Sequence, residues 1–413
     1  MKLSGIETHE HLQAIKKGMV MNMNNKNWVS VWGNAVSIAE HHPEAYAKYI
    51  TLRYPVYIPF DGDTLRFTFD NYCGSEAVTV TRATVSAATS PVYEKMPLAC
   101  PCKKETICDI TFSKNESVTM EAHQTAVSDP VSFPVKKGMT LTVSLYFADF
   151  TLMQSAVLVT GPLSKGFFSL GDQTHADALP MDTTKTTNWF YFLSNIELMT
   201  AEENHTVICY GDSITAGAWP DYLTLLAKQN PDNHTAFIRR ATSGSRVLRQ
   251  YECITYDSYG LKGTNRFPHE IPTTGADTVI IQQGINDIIH PIGIETNPFR
   301  PMSDLPTAKE LIDGYRYYIE EAKKLHLKVY MGTLLPIFGW RTYATFRDDL
   351  RNEFNAWIRS AKEIDGCIDF DLALRGSENP SAFREGFDSG DHLHPSSKAY
   401  QAMAECAYEV LRK

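Results

Sequence analysis

The feature that most constrains this chain is the stretch Val207-Ile208-Cys209-Tyr210-Gly211-Asp212-Ser213-Ile214-Thr215-Ala216-Gly217. An apolar run reads as a buried strand and stops at Gly211. An amphipathic helix begins a few residues later, where Trp219, Tyr222, Leu223 and Leu226 recur at i, i+3, i+4 and i+7. A short strand feeding a helix is the unit of an open parallel sheet, and such sheets place their chemistry beyond the strands' carboxyl ends. Ser213 stands there. Taken alone, Gly-Asp-Ser is also an ordinary turn tripeptide.

The same alternation continues to the C-terminus. Predicted strands are Val207–Tyr210, Ala236–Ile238, Thr278–Gln282, Lys328–Gly332 and Cys367–Phe370. Between and after them run periodic helices. Leu311, Tyr315, Tyr318, Ile319 and Ala322 share one face. Phe346, Leu350, Phe354, Trp357, Ile358 and Ala361 share a second, and Tyr400, Met403, Ala404, Ala407, Tyr408 and Leu411 a third. Short apolar strands alternating with such helices mean a mostly parallel five-stranded sheet covered on both faces, a three-layer α/β/α domain.

Residues before about 200 read differently. Thr64–Phe69, Ala77–Thr81 and Thr140–Tyr146 alternate apolar and polar residues, separated by turn signals such as Asp61-Gly62-Asp63. This predicts an all-β, jelly-roll-like sandwich. Helical turns fit around Glu40 to Ile50. Asp172 to Asn188 reads as a long polar excursion. Trp189–Leu193 reads as a last apolar strand before a polar joint at Thr200–Asn204. The expected division is therefore 1–200, a specificity or structural module, and 201–413, a catalytic domain. A length of 413 residues suits two domains.

Composition narrows the partners. The net charge is −9 and no basic face stands out, which argues against nucleic acid and anionic membrane. No apolar run reaches membrane-spanning length. The first residues, Met1 to His9, lack the apolar core of a signal peptide, so the expectation is cytoplasmic, or secreted if this is a mature form. No Gly-x-Gly-x-x-Gly follows a strand and no phosphate-binding loop is present, so no nucleotide cofactor is expected. The eight cysteines do not make a disulfide scaffold in a chain this long. Cys209 and Cys367 read as core. Cys100, Cys102 and Cys108 read as free thiols, with a metal site as the alternative, although their spacing matches no common zinc motif. The site is assigned no metal, and the oligomeric state stays open.

The strand-end loops carry the chemistry. Ala241-Thr242-Ser243-Gly244-Ser245-Arg246 follows the second strand, Gln283-Gly284-Ile285-Asn286-Asp287 the third, and Asp391-His392-Leu393-His394-Pro395 precedes the last helix. A serine hydroxyl needs a base, and His394 suits, with Asp391 to fix its tautomer. Attack on a carbonyl makes an oxyanion, for which the Ser213 and Gly244 N–H groups and the Asn286 amide are fitting donors. Singly, Asn286 reads equally as a cap, Gly244 as a turn and His394 as a surface residue. Asp212 reads as orienting the nucleophile turn and His392 as a bystander. Trp219, Trp340 and Tyr343 lie near strand ends and suit stacking on a sugar, with core as the alternative for Trp219.

These blocks, Gly211-Asp212-Ser213, Gly244, Gly284-Ile285-Asn286-Asp287 and Asp391-x-x-His394, resemble the SGNH hydrolases, also called GDSL esterases, in order and spacing over about 205–413. The second block lacks the Asn-Arg-Gly opening often seen. Trp28–Gly33, Thr51-Leu52-Arg53, Leu65-Arg66-Phe67 to Val85 and Val127–Val131 resemble the β-rich front half of a two-domain SGNH subgroup, whose members are commonly secreted. The resemblance implies Ser213 as nucleophile, His394 as base, Asp391 as its partner, and Ser213, Gly244 and Asn286 as the oxyanion hole. The expected activity is hydrolysis of short acyl esters, acetyl above all, from carbohydrates, on small-molecule or oligosaccharide substrates. A lysophospholipase- or thioesterase-type lipid hydrolase is the alternative within the family, and a sugar-binding protein with a vestigial hydrolase domain the non-enzyme alternative.

Overall fold

The computed structural model describes residues 26–39 and 46–412. The leader reading and most of the helical turns expected at Glu40–Ile50 lie outside them; Tyr46–Ala47 is a short strand, and Ile50 opens the strand Ile50–Tyr57.

The second half is built on five parallel strands in the order Thr235–Ala241, His205–Gly211, Ala276–Gln282, Lys328–Gly332, Gly366–Ile368. The helix Trp219–Lys228 packs on Ser397–Leu411, while Ala308–Lys324 packs on both Gly263–Glu270 and Thr345–Ser360. The chain first steps from His205–Gly211 outward to Thr235–Ala241, then crosses back to Ala276–Gln282. Right-handed crossovers in opposite directions put helices on opposite faces. The result is the expected α/β/α sandwich of layers, and its switch point lies between His205–Gly211 and Ala276–Gln282, the place where open sheets of this kind bind ligands.

Two elements depart from the expectation. The last strand ends at Ile368, not Phe370, because the Asp369 carboxylate accepts from the Leu372 N–H at 3.1 Å and starts the short helix Phe370–Leu374. Its edge position leaves Cys367 only partly buried, whereas Cys209 is core. Phe346 lies on the first turn of Thr345–Ser360 and is exposed beneath the Arg347 guanidinium rather than on the buried stripe.

Among the described residues, the first half is built on two larger antiparallel sheets around one apolar core, with three smaller sheets beside them. One holds Lys26–Gly33, Leu193–Ala201 and Gly62–Asp70, with Thr125–Val127 and Val131–Val135 both pairing to Gly62–Asp70. The other runs Lys185–Thr187, Gly166–Leu170, Ile50–Tyr57, Thr140–Phe147, Arg82–Ala87, Cys108–Ile110. Phe67, Phe69 and Leu198 of the first meet Val56, Val143 and Leu145 of the second. The strand expected at Trp189–Leu193 breaks at Phe192, whose φ is +61°. The chain then re-enters as Leu193–Ala201, and a turn at 202–204 leads straight into His205–Gly211.

The halves meet along a polar seam over small apolar residues. Ala216, Ala236 and Ala241 join the sandwich's core. The buried Arg240 guanidinium donates to the Asn34, Ser194 and Glu270 carbonyls and to Asn195 Oδ1. Arg239 pairs with Asp221 at 2.7 Å, and that carboxylate also accepts from Leu163 N and Ser164 Oγ.

Candidate active site

Gly211 ends its strand with no room to spare: a Cβ there would lie 2.3 Å from the Gln282 carbonyl oxygen. Asp212 then caps the one-turn helix Ser213–Ala216 by accepting from Ile214 N at 3.1 Å, the orienting part expected of it. Ser213 is the first residue of that helix, so its N–H has no acceptor within the helix. Behind it, Trp219 is fully buried, its indole N–H 3.4 Å from Thr215 Oγ1 and its ring 5.5 Å from Phe370. Trp219 is therefore core, and the sugar-stacking reading of it is corrected.

His394 comes from the loop before Ser397–Leu411. Its Nε2 lies 2.9 Å from Ser213 Oγ, and its Nδ1 lies 2.6 Å from Asp391 Oδ2. The other oxygen, Asp391 Oδ1, accepts from the N–H groups of Leu393 and His394 and from Ser389 Oγ. Partial burial alone would raise this carboxyl, but the His394 ring and those backbone N–H groups outweigh it and hold it at about 2. Asp391 is thus ionised wherever the imidazole is to be steered.

Sequence reasoning missed Asp388. It accepts from Gly390 N and His392 N and lies 2.5 Å from the His392 ring, so a second Asp–His pair braces the loop one turn away. His392 in turn fills the space over Gly339. That contact joins the triad loop to the segment holding Trp340 and Tyr343. Both are half-buried, Trp340 beneath Arg341 and Tyr343 edge-on to the exposed Phe338 at 5.1 Å. The Asp-x-x-x-His spacing was the signal for this second pair.

Asn286 is the second residue of the short helix Ile285–Ile289 after the third strand. Its amide donates to the Ser245 carbonyl at 3.0 Å, which spends one N–H and leaves the second. Because Ser245 follows Gly244, this bond sets both expected donors in one frame. Gly244 has φ +76°, and a Cβ there would run into the Tyr259 ring at 2.2 Å, so only glycine fits. Asp287 ties the same segments from below by accepting from Val247 N and Leu248 N.

Two carboxyls beneath the site are fully buried. Burial pushes Asp212 up to about 7, with the Asp287 charge adding to it, and pushes Asp287 up to about 6 against its two backbone donors.

The cysteine alternative does not assemble. Cys100 packs with Met96, Phe167 and Leu179, and Cys102 Sγ faces the Ala176 carbonyl. Among the described residues, no three His, Cys, Asp or Glu side chains are grouped to hold a metal ion. No described helix is long and apolar enough to cross a membrane.

Residues 209–402 match the model of the GDSL-like Lipase/Acylhydrolase family. No curated protein matches the chain. Among solved structures, a GDSL-like lipase from Bacteroides thetaiotaomicron aligns at 20% identity over 51% of this chain and 89% of its own, TM-score 0.37. An acetyl xylan esterase from Geobacillus stearothermophilus aligns at 17% over 50% and 95%, TM-score 0.37. A lipolytic protein of the G-D-S-L family from Veillonella parvula aligns at 17% over 51% and 99%, TM-score 0.34. Over residues 209–402, this chain is thus similar to the GDSL-like lipase/acylhydrolase family.

Proposed function

We propose that the protein is a serine esterase that removes short acyl groups, acetyl first, from carbohydrates. The observation that carries the reading is the unbroken line from Ser213 Oγ through the His394 ring to Asp391, at 2.9 and 2.6 Å. Ser213 Oγ attacks the acyl carbon while His394 Nε2 takes its proton. Asp391 keeps the Nδ1 hydrogen in place and stabilises the imidazolium that forms. Ser213 N, Gly244 N and the second Asn286 N–H receive the oxyanion. Collapse expels the sugar oxygen, which takes the proton from His394 and leaves as alcohol. Water then enters, gives its proton to His394 and adds to the acyl carbon. Ser213 departs with that proton, and the free acid leaves.

Residues 1–200 and 201–413 are taken as two domains, the sandwich serving as a specificity module held rigidly by the Arg240 and Arg239–Asp221 seam. Trp340 and Tyr343, beside the triad loop, are taken as substrate contacts. The test compares wild type with Ser213→Ala on 4-nitrophenyl acetate, acetylated xylo-oligosaccharides and a long-chain lysophospholipid. Hydrolysis of the two acetates, lost in Ser213→Ala, is expected. Preference for the lipid would move the reading to the lipid branch, and activity that survives Ser213→Ala would end it.

A further inference from the structure

Between the halves, a cleft of about 170 Å³ lies beside the second block. One wall is a small antiparallel sheet of the first half, Ser37–Ile38, Ser155–Leu158 and Trp189–Tyr191, which presents Ser37, Leu158 and Trp189. The other wall is Ser243, Ser258 and Tyr259 of the second half. The two walls approach closely at Gly260, whose φ is +66° and where a Cβ would meet Ser37 Oγ at 2.5 Å.

Tyr259 connects this cleft to the chemistry. Its ring lies against Gly244 and stacks on His290, 5.3 Å away and 24° from parallel. His290 follows Asn286 by four residues and donates its backbone N–H to the Asn286 carbonyl. Tyr259 is also packed by Tyr251 and Tyr256. One aromatic ring, held on three sides, thus forms both a wall of the cleft and the contact on Gly244.

The lining has a definite chemistry. It offers two half-buried aromatic rings, three serine hydroxyls and an aliphatic floor, and none of its side chains is charged. Aromatic faces suit the C–H face of a sugar ring, and hydroxyls suit its equatorial oxygens. A charged headgroup would find no partner here.

We infer that this cleft is a pyranose subsite that seats the ester-bearing sugar ring between Trp189 of the first half and Tyr259 of the second. The inference rests on the esterase reading and names where its alcohol portion binds. It assigns the first half a direct part in specificity.

The test uses the full chain and two acetates, a mono-acetylated methyl xylopyranoside and ethyl acetate, which has no ring. Trp189→Ala is expected to lower the ratio of kcat/KM for the sugar acetate over ethyl acetate about ten-fold, the scale of a lost stacking contact. Ser258→Trp, which fills the cleft from the opposite wall, is expected to lower the same ratio and serves if Trp189→Ala is unfolded by thermal melt. An unchanged ratio in the folded variants overturns the inference. Binding separates it from the esterase reading. Methyl xylopyranoside should quench tryptophan fluorescence of Ser213→Ala but not of Ser213→Ala with Trp189→Ala. Quenching lost in the double variant supports the subsite even if hydrolysis proves independent of Ser213. Quenching that is absent from Ser213→Ala, or that survives in the double variant, overturns it.

Discussion

In the antiparallel half, Arg53 is 1% exposed, and its guanidinium donates to Ser144 Oγ and to the carbonyls of Cys100, Gln173 and Ala176. Thr84, Ser86 and Thr142 on the same covered face are likewise paired. In the parallel half, Asp212 is just as deeply buried, yet one of its carboxylate oxygens has no hydrogen-bond partner in the structure. Both halves bury polar groups. On this face the sandwich pairs them with hydroxyls and backbone carbonyls and so clamps the Asp172–Asn188 excursion onto a sheet. The parallel half leaves them in tension at strand ends, where burial raises two carboxyls and a hydroxyl meets an imidazole. The paired groups of the sandwich hold a loop in place, whereas the unpaired oxygen of Asp212 sits directly beneath the nucleophile turn.

The contrast breaks most sharply at Ser213. Ser213→Ala and His394→Ala should each lose activity by roughly 10⁴-fold or more with the melting curve intact. A folded Ser213→Ala retaining substantial kcat would place the chemistry elsewhere.

Arg240 tests the opposite kind of group. Arg240→Ala removes a donor from three buried carbonyls and from Asn195 Oδ1 along the seam, and should cost about 3–5 kcal/mol in urea melts. A loss below about 1 kcal/mol would mean that the seam is wetter than its burial implies.

Asn286→Ala should lower kcat by about 10²–10³, near 3–4 kcal/mol, with little change in KM, since the amide pairs best with a charged oxygen. A change confined to KM would make Asn286 a ground-state contact.

The last effect, read as a slope and not as a loss, is on pH dependence. Asp212 titrates near 7 folded and near its ordinary value, 3.8, unfolded. Between those pH values the folded state keeps a proton that the unfolded state has released. Stability therefore falls as pH rises through that window, by up to about 1.4 kcal/mol per pH unit. Asp391 acts in the opposite sense: its depressed value adds stability above its unfolded pKa that is lost as pH falls toward 2. Asp212→Asn, which keeps the helix cap, should flatten the slope between pH 5 and 7 in urea melts. An unchanged slope would assign the proton to another group.

Much was legible from local pattern. The strand–turn–helix around Ser213, the periodic helices and the alternating strands each announce themselves within a few residues. The helix Gly263–Glu270 did not, because its glycine and Pro268 read as breakers while a buried Arg266–Glu270 pair holds it. Leu193–Ala201 was hidden too: its polar Ser194, Asn195 and Glu197 are buried by partners far away in the chain, Asn195 and Glu197 meeting Arg240 and Arg66.

What the sequence determined by itself was the kind of unit and the inventory of reactive groups, since strand and helix periodicity and residue chemistry are local properties. Only the tertiary structure decided how those groups stand. Ser213 meets His394 across 181 residues, and Tyr259 comes to lie on Gly244. Trp189 of the first half comes to line one cleft with Tyr259 of the second, and Trp219 withdraws into the core. Burial raises Asp212 while hydrogen bonds lower Asp391, two identical side chains driven apart by surroundings that no local pattern encodes.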